Sequence, residues 1–149
     1  MSHDHAPADP TPAPPTPRVG CDVVDIDRLA AVLRRRPALR ERVFTERELA
    51  DAGRGGAPIG SEVEVSRLAA RWAAKEATRK ALGDLRLPFH AAEVVADPAG
   101  APMLHLHGRP SALTCSLSHD GGVAMAVVLA PTLTTTTTNT SKESAHAAG

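Results

Sequence analysis

At 149 residues, with formal charge balanced at zero, the chain has the size of one ordinary domain and lacks the basic surface of a general nucleic-acid binder. Two Phe, one Trp and no Tyr leave almost no platform for base stacking. No apolar run approaches a bilayer-spanning length and the N-terminus carries no signal-like apolar stretch, so a cytoplasmic protein with no membrane and no nucleic-acid partner is expected.

Both ends are poor in core-forming residues. MSHDHAPADPTPAPPTP (1–17) and the Thr-rich PTLTTTTTNTSKESAHAAG (131–149) read as disordered extensions, with His3 and His5 solvated rather than metal-binding. The folded domain is expected over 18–130.

It opens with VGCDVVDI (19–26), a buried strand. DRLAAVLRRRPALRERVF has helical spacing at Leu29, Val32 and Leu33, then at Leu39 and Val43, with Pro37 starting a second helix. FTERELADA continues as a short helix and GRGGAPIG as a loop. Ser61 and Glu64 form an S-x-x-E capping box that starts a long helix, and Gly83 ends it. AEVVAD and APMLHLH around DPAG, then TCSLSH and VAMAVVLA around DGG, read as two antiparallel hairpins. The order predicts an α+β fold, an antiparallel sheet packed on a long central helix. Cys21 and Cys115, each inside an apolar run, are expected to be buried thiols.

Three groups of residues stand out. In RWAAKEATRKALG (71–83), about 100° per residue puts Arg67, Arg71, Lys75 and Thr78 on a polar arc and Leu68, Ala69, Trp72 and Ala73 on an apolar one. Glu76 and Lys80 fall on the apolar side. They can be a simple i,i+4 ion pair. Asp22 is the second anomaly, a carboxylate mid-strand on the face of Val24 and Ile26, where it needs a partner. That partner is either Lys80 or an arginine, or Asp22 and Glu76 together offer two carboxylates to Mg²⁺ with Lys80 facing its phosphates; both readings stay open. Asp25 and Asp27 suit helix N-caps.

The third group is SLSHD (116–120). Alternation puts Ser116, Ser118 and Asp120 on one side and Leu117 and His119 on the other. A lone His at a hairpin mouth is ordinarily a surface group, and no nucleophile elbow surrounds it. Arg28, Arg34, Arg35, Arg36, Arg40 and Arg42 make the first helical region basic, either as a solvated face or as a docking strip for an acidic partner.

GCDVVDIDR, FTERE, RWAAKEATRKALG, DPAGAPML and SLSHDGGVAMAVVLA, in that order, closely resemble the holo-acyl-carrier-protein synthase family, the small 4'-phosphopantetheinyl transferases. The match covers nearly all of the core and neither extension. It implies the phosphopantetheinyl transferase fold and transfer of the 4'-phosphopantetheine arm of coenzyme A to a serine of an apo acyl or peptidyl carrier protein, releasing adenosine 3',5'-bisphosphate. Under the resemblance, Asp22 and Glu76 bind Mg²⁺ and Lys80 faces the pyrophosphate. Arg71, Lys80, Gly83 and His119 bind coenzyme A. Glu76, or less favourably Asp120, takes the serine proton. Arg28, Arg35 and Arg36 meet the acidic carrier protein.

The family also implies a homotrimer with each site shared between neighbouring subunits. One departure stands out: members carry a helix between the G-x-P strand and the SLSH strand, for which HGRPSALT is too short. The competing readings are a non-catalytic homologue that binds coenzyme A or a carrier protein, and a structural module whose charges are all internally paired. Fatty-acid, polyketide and peptide-synthesis carriers all fit.

Overall fold

The computed structural model describes residues 16–132. The two expected extensions lie almost wholly outside the described residues, His3 and His5 with them.

Strand β1 (Arg18–Asp25) pairs antiparallel with β6 (Val123–Ala130), which pairs in turn with β5 (Thr114–Asp120). A second antiparallel sheet contains β2 (Ala92–Ala96), β3 (Pro102–Leu106) and the two-residue β4 (Arg109–Pro110). Both expected hairpins are present. The expected single sheet is in fact two: β3 meets β5 through the Cys115 thiol on the Pro102 carbonyl, 3.4 Å, with no backbone ladder between them.

Helix α1 (Ile26–Arg35) is capped by Asp25, whose carboxylate accepts from Arg28 N at 2.8 Å. Helix α2 (Leu39–Val43) follows Pro37, and α3 (Glu46–Ala52) follows Thr45. The long helix α4 (Glu62–Leu82) starts at Ser61, whose hydroxyl accepts from Glu64 N, and ends on left-handed Gly83. Its capping box is only half made. The Glu64 carboxylate turns instead to Gly60 N, 2.8 Å, and to the Arg40 guanidinium. The reciprocal box belongs to α3, between Thr45 and Glu48. No helix forms between β3 and β5; the short segment holds β4 and a turn instead.

Helix α4 is the centre of the molecule. Leu68, Ala69, Ala73, Ala74, Ala77 and Ala81 are all fully buried. Small residues let the strands close tightly: a Cβ added at Gly20 on β1 would lie 2.0 Å from the Ala77 carbonyl oxygen and 2.6 Å from Ala81 N.

The expected polar arc of α4 is corrected. Lys75 and Thr78 are fully buried, because that side of the helix is covered by α3 and the sheets, while its partly open side runs along Trp72, Glu76, Arg79 and Lys80. Thr78 resolves its hydroxyl locally, donating to the Ala74 carbonyl at 2.7 Å. Glu76 and Lys80, placed by periodicity among apolar neighbours, instead reach partly open positions. The thiols are corrected too. Cys21 is exposed on the outer face of β1, and Cys115 is half-buried.

Candidate functional site

Gly20 seats β1 on α4, and two residues further along the same strand face Asp22 meets Lys80. The Lys80 ammonium donates to Asp22 Oδ1 at 2.7 Å and to the Cys21 carbonyl at 2.9 Å. Asp22's hydrogen bond, above all, pushes the Lys80 ammonium above its usual range; its slight burial opposes this, and the Asp22 and Glu76 charges add to it. Glu76 lies one turn before Lys80 and pairs with Arg79 at 3.2 Å. The sequence left Asp22 with two alternatives, and the structure has it ion-paired with Lys80.

The donor set also fits a hard divalent cation. Lys80 engages Oδ1 of Asp22, so that bond does not use Oδ2, and the side chains of Asp22 and Glu76 keep 20% and 25% of their surface open. Mg²⁺ needs only one or two carboxylates when water and phosphate oxygens complete its shell. Among the described residues no three metal-ligating side chains cluster. Beside Asp22 opens a cavity of about 270 Å³, lined by Asp25, Arg28, Leu29, Val32 and Trp72.

Arg71 and His119 are brought together elsewhere. They line a cavity of about 360 Å³ with Arg54 and Arg67 on its basic side and Val94 and Leu117 on its apolar side. Arg71 pairs with Asp51 at 3.5 Å, and its buried Nε has no partner among the described residues. Burial pulls its pKa down; the Asp51 and Glu48 charges oppose this. The structure does not bring this group to Asp22. His119 stands in register with Ala124 and Val24, so β6 separates it from β1.

Asp120 lines a third cavity, about 610 Å³, with Asp27, Glu62 and Ser66; His119 borders this one too, and Glu76 and Lys80 do not. Gly83 (φ 68°) sits against the Arg18 guanidinium, whose Nη1 donates to the Leu82 carbonyl at 3.0 Å. Arg28, Arg34, Arg35, Arg36 and Arg42 are exposed along α1 and α2, but Arg40 leaves the basic strip because Glu64 engages it.

One polar cluster escaped the sequence reading. Lys75 and Glu48, both fully buried, pair at 2.8 Å, and Lys75 also donates to the carbonyls of Phe89 and Ala92. Burial pulls the Lys75 pKa down, with the Glu48 charge and hydrogen bond opposing. The signal was T-x-x-E in FTERE, an N-capping pattern as legible as the Ser61 one.

The sequence profile of the 4'-phosphopantetheinyl transferase superfamily matches residues 18–128. The chain is 44% identical over 122 residues to a holo-[acyl-carrier-protein] synthase of Salinispora arenicola, covering 75% of this chain and 95% of that one. It is 43% identical over 122 residues to the Streptomyces coelicolor protein of the same name, covering 75% and 94%. Among solved structures, a Chronobacterium ammoniagenes ACPS–coenzyme A complex superposes with TM-score 0.64 at 30% identity, covering 77% of this chain and 96% of that one. The Helicobacter pylori holo-[acyl-carrier-protein] synthase with coenzyme A superposes with TM-score 0.63 at 28% identity, covering 76% and 99%. By its profile match, its relatives and its fold, the chain belongs to the 4'-phosphopantetheinyl transferase superfamily, within the holo-[acyl-carrier-protein] synthase family.

Proposed function

We propose that this protein transfers the 4'-phosphopantetheine arm of coenzyme A to a serine of an apo carrier protein, with Mg²⁺, releasing adenosine 3',5'-bisphosphate. The observation that carries the reading is the meeting of Asp22 and Lys80 one turn from Glu76, with Asp22 lining a cavity. Mg²⁺ held by Asp22 and Glu76 would supply charge neutralisation at the pyrophosphate.

The chain's own groups supply the rest. Lys80 places a positive charge where the leaving phosphate gains a negative one. The serine oxygen forms a bond to the phosphorus carrying the pantetheine arm, and the pyrophosphate P–O bond breaks. The serine proton passes to a carboxylate, for which Glu76, one turn from Lys80, is the first candidate and Asp120, beside His119, the second.

Arg71 and His119 would hold the nucleotide end of coenzyme A, in a cavity whose basic side suits phosphate and whose apolar side suits a base. Gly83, one turn beyond Lys80, completes the coenzyme A set by keeping that end of α4 tight. Arg28 borders the Asp22 cavity, and with Arg35 and Arg36 it would meet an acidic carrier.

The same reading includes a homotrimer. Asp22 and Lys80 lie apart from Arg71 and His119 within one copy, which supports a neighbour completing each site. The outer face of β1 and β6 leaves Val19, Val23, Val123, Met125 and Leu129 exposed, an apolar patch suited to a second copy of the chain. Its place of action is the cytoplasm; no helix among the described residues is long and apolar enough to cross a membrane.

The test is incubation with coenzyme A, Mg²⁺ and purified apo carrier proteins from fatty-acid, polyketide and peptide synthesis, read by intact mass. A gain of one phosphopantetheine per carrier, abolished by excess chelator, is expected. Coenzyme A binding without mass gain on any carrier would leave a non-catalytic homologue, and full activity in chelator would remove the metal.

A further inference from the structure

We infer that the buried Glu48–Lys75 ion pair is a positioning element that fixes the roll of α4, aiming Arg71 and Glu76 into their separate half-sites; the inference rests on the function proposed above.

The pair is fully connected. Lys75 has three N–H donors, and they go to Glu48 Oε2 and to the carbonyls of Phe89 and Ala92. Glu48 Oε1 accepts from Val94 N at 2.9 Å and Oε2 from Thr45 N at 2.9 Å. The Thr45 hydroxyl donates to Glu93 Oε1 at 2.6 Å. One cluster thus ties the N-terminus of α3, the middle of α4 and the start of β2.

Stability alone does not call for this arrangement. Desolvating two charges costs several kcal/mol, and apolar side chains of similar volume often serve as well or better. What the pair adds is direction. Around it α4 presents Ala73, Ala74, Ala77 and Ala81, a smooth surface that specifies rotation weakly. Against β1 it touches Gly20, which has no side chain to interlock. Lys75 is the polar pin on the opposite side.

The functional residues follow from that pin. Glu76 is the next residue, about 100° round the helix, and Arg71 lies four residues back on nearly the same line as Lys75. With Lys75 anchored at Ala92 and Phe89, Arg71 opens into the cavity beside Val94, and Glu76, paired with Arg79, lies near enough for its charge to act on Lys80. A roll of about 20° at a side-chain radius of about 5 Å moves a carboxylate by roughly 2 Å. Misplacement by about 1 Å can cost on the order of a hundredfold in rate.

The experiment uses the full chain with the neutral double substitution Glu48→Gln/Lys75→Met, which avoids leaving one charge buried alone. Folding is read by far-UV circular dichroism and melting. Coenzyme A affinity is read by calorimetry without metal, and transfer kinetics by carrier mass. Emission from Trp72 is the fourth readout. This is the single tryptophan, lies on α4 between Phe44 and Phe89, and reports the roll whether or not the protein is an active transferase.

The expected result is a folded variant with shifted Trp72 emission, coenzyme A dissociation constant raised severalfold and kcat lowered about tenfold or more. A folded variant with the parent's Trp72 emission, affinity and kcat overturns the inference, even if its melting point falls. Should the double variant not fold, Glu48→Gln/Lys75→Gln, which is neutral but keeps hydrogen-bonding groups on both sides, is read by the same measurements. If neither folds, the pair holds the fold rather than aiming the helix, and the inference fails. A parent that neither binds coenzyme A nor transfers would contradict the proposed function, and Trp72 emission would still decide the roll.

Discussion

Lys80 and Asp22 join the C-terminal end of α4 to the middle of β1 through a 2.7 Å charged hydrogen bond, and Asp22 also lines a cavity. The contact holds the ammonium above its usual pKa, so its contribution to stability is complete below lysine's ordinary value and is lost as pH rises through the raised one. With 45% of the lysine side chain open to solvent, that contribution is small. The pair is better explained by charge arrangement than by stability.

Lys80→Met is therefore expected to lower kcat about tenfold to a hundredfold with a smaller rise in KM for coenzyme A, and to leave the melting point almost unchanged. Steady-state kinetics with coenzyme A varied at saturating carrier separates the two. A change confined to KM would make Lys80 a donor-binding group only.

Gly20→Ala tests the seat of the site. Its Cβ would fall within 2.0 Å of a backbone oxygen of α4, which no side-chain rotation can relieve. Destabilisation of about 1–3 kcal/mol is expected, read as a lower denaturation midpoint, with loss of activity in whatever remains folded as β1 lifts from α4. A variant as stable and as active as the parent would show that β1 can shift without cost.

Much of this was legible in the sequence, for physical reasons that differ by residue. The hairpins around DPAG and DGG followed from turn chemistry, and Asp25 and Ser61 cap helices as their types demand. The pairing of β1 with β6 was not legible, because it joins strands about a hundred residues apart with no local signal. Periodicity misassigned Lys75 and Thr78, since a hydrophobic arc takes the polar side for the solvent side, whereas the partly open side of α4 runs along Trp72, Glu76, Arg79 and Lys80. It did single out Asp22, Glu76 and Lys80 as misplaced charges, and two of these three touch. Cys21 was misread because the outer face of β1 is apolar yet uncovered within one copy.

The two thiols should react differently. Burial raises the Cys115 pKa from the ordinary thiol value to about 11, so at pH 8 very little of it is thiolate. Alkylation of Cys115 in the native protein is expected to be about a hundredfold slower than in the unfolded chain, and to accelerate as pH approaches 11. Peptide mapping after timed iodoacetamide treatment checks it; rapid native labelling of Cys115 at pH 8 would contradict its burial.

Arg28, Arg35 and Arg36 are exposed and close together on α1 and just beyond it. Attraction to an acidic carrier is screened within about 8–10 Å at physiological salt, whereas coenzyme A is held at contact distance. Salt should raise KM for the carrier steeply and KM for coenzyme A less, and Arg→Ala at these positions should flatten the carrier's slope. Variants that keep the parent's slope would make the arginines a solvated face.

The central claim is that Asp22, Glu76 and Lys80 of one copy act with Arg71 and His119 of a neighbour. Asp22→Ala and Arg71→Ala proteins, each inactive alone, are mixed in equal amounts, dissociated and reassembled, and the carrier is assayed by intact mass beside the parent. If sites are shared, random assembly restores about a quarter of the parent's sites, each built from two intact halves. A reassembled mixture as inactive as its components, beside an active parent, would place both halves of the site within one chain and contradict the account.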